Sequence, residues 1–125
     1  MFCSTVIPTI GRPTLTRAVE SVLSQKLPDD EFEVIVVNDT GTPLARSAWQ
    51  ESERALTVTT NRRERSVARN TGAAIASGEY LHFLDDDDWL LEGALAEFRT
   101  LASESEEALI YGTAELIDRE RETSQ

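Results

Sequence analysis

Apolar positions along this chain fall into short blocks that switch between two periods. Phe2 to Ile7 is a first apolar-rich run, and Phe32 to Val37 is a second whose Val34-Ile35-Val36-Val37 centre holds no polar residue. Runs of this length without polar alternation predict strands covered on both faces, as in a parallel sheet with helices above and below. Between them Leu15, Ala18, Val19, Val22 and Leu23 recur at helical spacing, and Thr14 is placed to cap the helix they predict. Leu27-Pro28-Asp29-Asp30 ends that helix. Pro43 is placed to open a second helix carrying Leu44, Ala48 and Trp49. Ala55 to Thr59 reads as a short third strand. Ser66 to Ser77 reads as a small-residue helix with Val67, Ala68, Ala74 and Ile75 on its apolar side, and Gly78 as its C′ residue. Tyr80 to Leu84 predicts a central strand. Leu91 to Ala102 predicts a helix with Leu91, Ala94, Leu95, Phe98 and Leu101 aligned, and Ala108 to Tyr111 a last strand that Thr113 to Arg119 extends or turns back from. Strand and helix alternate throughout. The expectation is one α/β domain over residues 1–119, a mostly parallel sheet flanked by helices, followed by a polar tail at 120–125.

The strand ends carry the polar residues of interest. Pro8-Thr9 follows the first strand, Asn38-Asp39 the second, and Asp85-Asp86-Asp87-Asp88 the central one. In an open parallel sheet these C-terminal ends converge on one edge, where ligands bind. Four adjacent carboxylates repel one another, so a cation belongs there, and a hard divalent metal with oxygen ligands suits them. Taken alone, the run is equally a solvated acidic turn, and Asp39 alone is a helix cap. Arg62, Arg63, Arg65 and Arg69 lie just before the central strand. The first three read as a solvated face. Arg69 stands among small apolar residues at a helix start and is the better candidate for phosphate binding.

Composition narrows the chemistry. The chain has 125 residues and a formal net charge of -11, which argues against nucleic acid and against anionic membrane surfaces as partners. The single cysteine, Cys3, excludes an intrachain disulfide and reads as a small core residue. No apolar stretch approaches the roughly 20 residues of a membrane-spanning helix, and no basic region precedes the first apolar run. The expected location is cytoplasmic, at most reaching the cytoplasmic face of a membrane through a partner or a further segment. No Gly-x-Gly-x-x-Gly follows the first strand, and no Gly-Lys-Ser/Thr is present. A dinucleotide fold and a P-loop are therefore disfavoured, and a diphosphate would depend on a metal held by the aspartates.

Four segments in series carry a family resemblance: Ser4-Thr5-Val6-Ile7-Pro8-Thr9, Phe32 to Asp39, Ala68-Arg69-Asn70-Thr71-Gly72, and Gly78 to Asp88. In this order and spacing, over about residues 4 to 118, the chain resembles the family 2 glycosyltransferases. The resemblance implies a GT-A fold, a Rossmann-like domain that binds a nucleotide-diphosphate sugar. It implies that Pro8 and Thr9 line the nucleoside pocket, that Asp39 accepts a hydrogen bond from the base, typically uracil, and that Arg69 lies near base and phosphates. Asp85 to Asp87 matches the D-x-D motif. Asp85 would then face the ribose or the metal, Asp86 would adjoin the nucleotide, and Asp87 would ligate Mn²⁺ or Mg²⁺. The implied reaction is inverting transfer of the sugar to an unknown acceptor, whether glycan, lipid or protein.

The chain also departs from the family pattern. Ile10 and Gly11 stand where an aromatic residue and Asn are usual, which removes a stacking partner for the base. Loop 61–66 lacks the common Gly. Family domains are about twice as long, and no residue here matches their catalytic base, so the expected role is the donor-binding half. The alternative is a non-catalytic module that binds a nucleotide sugar or a metal. An incomplete sheet edge would favour self-association or a covering partner. A phosphatase of the haloacid dehalogenase type fits less well, because Trp89 follows the aspartates and the motif does not follow the first strand. A nucleotidyltransferase would need a richer loop than Gly11-Arg12-Pro13.

Overall fold

The computed structural model describes residues 1–104. They form an α/β unit whose strands are β1 (Cys3–Thr9), β2 (Phe32–Asn38), β3 (Ala55–Thr59) and β4 (Tyr80–Phe83), with helices α1 (Leu15–Leu23), α2 (Arg65–Ile75) and α3 (Ala94–Ser103). The four strands make one sheet in the order β3-β2-β1-β4. Every pairing is parallel. The expected strand at Ala108 to Tyr111, its extension to Arg119 and the tail at 120–125 lie outside the described residues. No helix among the described residues is long and apolar enough to cross a membrane.

The continuous apolar runs have the predicted cause. Val34, Ile35, Val36 and Val37 are fully buried, because successive side chains enter different layers. Phe32, Val34 and Val36 join Cys3, Ile7, Trp49, Leu95 and the α1 residues Leu15, Ala18, Val19 and Val22 in one core. Ile35 and Val37 join Val6 and Ala68 of α2 in the other. A nine-residue helix such as α1 is marginal on its own, so burial of this apolar stripe is what holds it.

Several expected boundaries move. β1 runs through Pro8 to Thr9, although proline cannot donate to a ladder. It does no harm here. Thr9 faces β2, where its C=O accepts from the Asp39 N–H. Pro8 therefore faces the β4 side, where pairing has already ended at Val6 opposite Phe83. The helix expected from Pro43 is a single 3-10 turn, Ala48–Glu51, because Ser47 is extended. Trp49 still packs into the core as expected. α3 begins at Ala94 instead of Leu91, since Gly93 has φ +81, a conformation that cannot continue a helix upstream. Gly78 is not a helix C′ residue, as α2 already ends at an extended Ala76. A Cβ on Gly78 would stand 2.6 Å from the Ser4 backbone nitrogen, so this glycine allows close approach of two backbones.

Among the described residues β4 stands at one edge of the sheet, and β1 and β2 are its centre; the further strand expected at Ala108 to Tyr111 lies outside the described residues. Leu81 and Phe83 are correspondingly 45% and 43% exposed. The opposite side of β4 is covered: Tyr80, Phe2 and Phe98 form a triangle of rings with centroids 5.3 to 5.4 Å apart.

Candidate functional site

The C-terminal ends of β1, β2 and β4 do meet. The buried Thr9 hydroxyl donates to Asp86 Oδ2 at 2.7 Å, tying the end of β1 to the acidic run after β4. Gly11 N–H donates to the same Thr9 oxygen at 3.0 Å, with φ +88 turning the chain toward α1. Thr14 does not cap α1 through its side chain. Its hydroxyl instead donates to the Asp86 backbone C=O at 2.7 Å. The helix thus forgoes a cap, and the acidic loop gains a tether.

A cleft of about 200 Å³ opens here, lined by Pro8, Thr9, Ile10, Arg12, Asp39, Arg63, Arg65, Ala68 and Asp86. Pro8, Thr9, Asp39 and Asp86 are thereby brought together as the sequence suggested. Arg63 and Arg65 were expected to be part of a solvated face. They are exposed, but they also line the cleft.

Asp39 is nearly closed off from solvent. Its Oδ1 accepts from the Thr60 hydroxyl at 2.7 Å and from the Arg62 and Arg63 backbone N–H groups at 3.0 Å each. Burial pushes its pKa up. The Thr60 hydroxyl and the backbone N–H groups of Arg62, Arg63 and Glu64 outweigh that and hold it below the usual carboxylate range. Asp39 therefore also anchors the loop that delivers Arg63 to the cleft. The turn after β2 is fixed separately: Asn38 Oδ1 accepts from Thr40 N–H and Oγ1, and Asn38 Nδ2 donates to Thr42 C=O.

The aspartates divide into two sets. Asp86 is buried and points back toward Thr9 and Arg12. Asp85, Asp87 and Asp88 each offer a carboxylate oxygen within 4.8 Å of the others. All-oxygen, partly exposed and anionic, this trio fits a hard divalent cation. Arg69 lies beside it, Nη2 being 3.5 Å from Asp85 Oδ1 with the guanidinium 5.9 Å from the Phe83 ring. Its Nε is buried without a hydrogen-bond partner. Arg69 does not line the cleft itself; it sits next to the aspartate trio.

Cys3 takes the core role its sequence context suggested. Burial pushes the Cys3 thiol up to about 11, against a hydrogen bond with Thr5 and aided by Glu33, so it is protonated at neutral pH. His82 shares a hydrogen bond with Thr5 Oγ1 at 3.2 Å, and burial pushes its pKa down. Sequence reasoning missed Arg12 as a site residue. Its Nη1 lies 3.2 Å from Asp87 Oδ2 and its Nε 3.6 Å from Asp86 Oδ1. A lone basic residue beside Pro13 gave no sign that the β1–α1 loop would fold onto the acidic run.

Comparison with known proteins decides the family. Residues 4–124 match the family model of glycosyl transferase family 2. The chain belongs to this family. Among its relatives is the poly(ribitol-phosphate) beta-N-acetylglucosaminyltransferase TarP of Staphylococcus aureus, 33% identical over 87% of this chain and 35% of TarP. Another is the GalNAc(5)-diNAcBac-PP-undecaprenol beta-1,3-glucosyltransferase of Campylobacter jejuni, 32% identical over 98% of this chain and 40% of that protein. The chain thus spans well under half the length of these relatives. Residues 1–349 of S. aureus TarS superpose with a TM-score of 0.70 at 25% identity, over 83% of this chain and 33% of that one. The parallel sheet with helices on both faces is the GT-A arrangement.

Proposed function

We propose that this chain is the donor-binding part of a glycosyltransferase that takes a sugar from a nucleotide-diphosphate sugar, UDP-linked, and passes it with inversion to an acceptor hydroxyl. The observation that carries this reading is the convergence of Asp85, Asp87 and Asp88 beside a cleft lined by Pro8, Thr9 and Asp39. A TarS structure at 25% identity and a TM-score of 0.66 holds UDP, which supports uridine as the nucleoside. In this reading the cleft takes the nucleoside. Pro8 and Ala68 supply apolar walls, and Asp39, ionised at neutral pH, accepts from the base N–H. Arg63 and Arg65 place positive charge along the same walls. The unpartnered Arg69 Nε is a donor that a phosphate oxygen would satisfy.

Asp85 and Asp87, with Asp88 adjoining, would hold Mn²⁺ or Mg²⁺. Bound there, the ion supplies Lewis-acid neutralisation of the leaving diphosphate. The chain's own contribution is positional: Thr9 and Thr14 grip Asp86, and this fixes the direction of the aspartates on either side of it.

A thermal-shift titration with UDP, GDP, CDP and ADP, each with and without Mn²⁺, tests the proposal. At 100 times its dissociation constant, a ligand adds about 2.7 kcal/mol to the native state. The expected result is a shift with UDP that needs Mn²⁺ and is lost in Asp87→Ala. No shift with any nucleotide would sink the donor-site reading.

A further inference from the structure

We infer that Arg12 is a positioning residue that stands in for the divalent cation at the aspartate run and hands over to the donor's diphosphate when the cation binds. The inference rests on the donor-site reading above and concerns how that site is loaded.

The starting point is repulsion. Asp85 to Asp88 place four carboxylates in consecutive positions, and Asp86 is 5% exposed. Buried charge of this kind needs compensation close by. Arg12 supplies it as a two-pronged contact, Nε toward Asp86 Oδ1 and Nη1 toward Asp87 Oδ2. Its loop is held in place at two points. Gly11 N–H and Asp86 Oδ2 share the Thr9 hydroxyl, and Thr14 holds the Asp86 carbonyl.

Asp87 therefore has two claimants. It belongs to the trio whose oxygens lie within 4.8 Å of one another, and it also receives the Arg12 guanidinium. A divalent ion on that trio and a guanidinium on the same carboxylate would repel each other at close range. The contact to Asp86 is not part of the trio and need not be surrendered. Arg12 can thus keep Nε on Asp86 and release its Nη end from Asp87. Arg12 already lines the cleft. A diphosphate bridging cleft and metal would meet it, and a guanidinium fork suits phosphate oxygens.

Two consequences follow. Metal alone is disfavoured, because it must break the Arg12–Asp87 pair with nothing to receive the freed guanidinium. Metal and diphosphate together are favoured, because the fork moves to a new anion. Arg12 thereby couples the two ligands, and linkage requires the coupling to be equal in both directions.

The test is binding, without turnover. Free Mn²⁺ is counted by electron paramagnetic resonance, with and without UDP, for the wild-type chain, Arg12→Ala, Arg12→Gln and Arg12→Lys. UDP affinity is measured by calorimetry with and without Mn²⁺, and melting curves confirm that each variant is folded. In wild type, UDP should tighten Mn²⁺ by about fivefold or more, the lower end of coupling between sites. Arg12→Ala and Arg12→Gln should bind Mn²⁺ alone more tightly than wild type and lose most of the coupling, with Arg12→Lys between them. If the neutral variants bind Mn²⁺ alone no more tightly, or keep the full coupling, the Arg12 inference is overturned while the donor site stands. If wild type binds neither Mn²⁺ nor UDP, the donor-site reading fails and this inference with it.

Discussion

At the scale of single residues, Asp39 does two jobs with one carboxylate. It lines the cleft and also pins loop 60–63 through Oδ1. Replacing it by alanine leaves a hydroxyl and two backbone N–H groups without their acceptor, which should cost about 2 kcal/mol in urea unfolding. The loss should depend on pH in a definite direction. The folded-state pKa of Asp39 lies below its ordinary value of 3.8. Its stabilising contribution is therefore complete above that value and lost as pH falls through the lower, folded-state pKa. The stability gap between wild type and Asp39→Ala should stay level from neutral pH to about pH 4 and narrow below it. A gap that widened on acidification would contradict the hydrogen bonding described. The sequence showed Asp39 as a strand-end acid. It did not show the anchoring role, because the donors come from residues 60–63, more than 20 positions away.

At the scale of elements, two contacts decide how the helices seat. Gly72 of α2 faces the sheet, and a Cβ there would stand 2.4 Å from Val6 Cγ1 and 3.2 Å from Val37 Cγ2. Both valines are fully buried. Glycine-to-alanine in a helix interior ordinarily gains up to about 1 kcal/mol. Here overpacking of about 1 to 3 kcal/mol should outweigh that gain. Gly72→Ala should consequently melt below wild type, and a higher melting temperature would show that α2 can lift off the sheet at no cost. The second contact is Gln25, just beyond α1. Its Nε2 donates to the C=O groups of Ser21 and Leu91, and its Oε1 accepts the Leu95 N–H at the start of α3. Gln25 is 6% exposed, a polar side chain that clamps α1 to the N-terminus of α3, where Gly93 has no side chain to serve as a cap. Gln25→Ala should cost about 2 kcal/mol by chemical denaturation, with hydrogen exchange accelerated in the first turn of α3.

At the scale of the whole molecule, the apolar centre of the sheet and the acidic run belong to different strands. The apolar centre lies in β1 and β2, while the acidic run follows β4, at the edge of the sheet among the described residues. Core truncation and edge substitution should therefore differ sharply. Val36→Ala empties a fully buried position and should cost about 2 kcal/mol or more. Leu81→Thr, at a site 45% exposed, should stay within about 0.5 kcal/mol. Equal losses at the two positions would mean that the outer face of β4 is covered in solution. The cleft is built at the ends of the well-buried strands β1 and β2, so the exposure of Phe83 on β4 does not disturb the Thr9–Asp86 contact.

The sequence by itself determined the alternation of strands and helices, the apolar layers and the polar strand ends. These depend on local periodicity and on the rule that parallel strands present their C-terminal ends on one edge. Pro8-Thr9, Asn38-Asp39 and the run Asp85 to Asp88 could be placed on one edge of the sheet on that basis. Only the tertiary structure decided strand order, which among the described residues is β3-β2-β1-β4, since no local pattern records which strand sits beside which. Only it divided four chemically identical aspartates into one turned inward and three turned together. Only it brought Arg12 onto that run from about 75 positions away, as the 3.2 Å contact with Asp87 records. Contacts of that separation come from how the layers pack, and no periodicity along the chain encodes them.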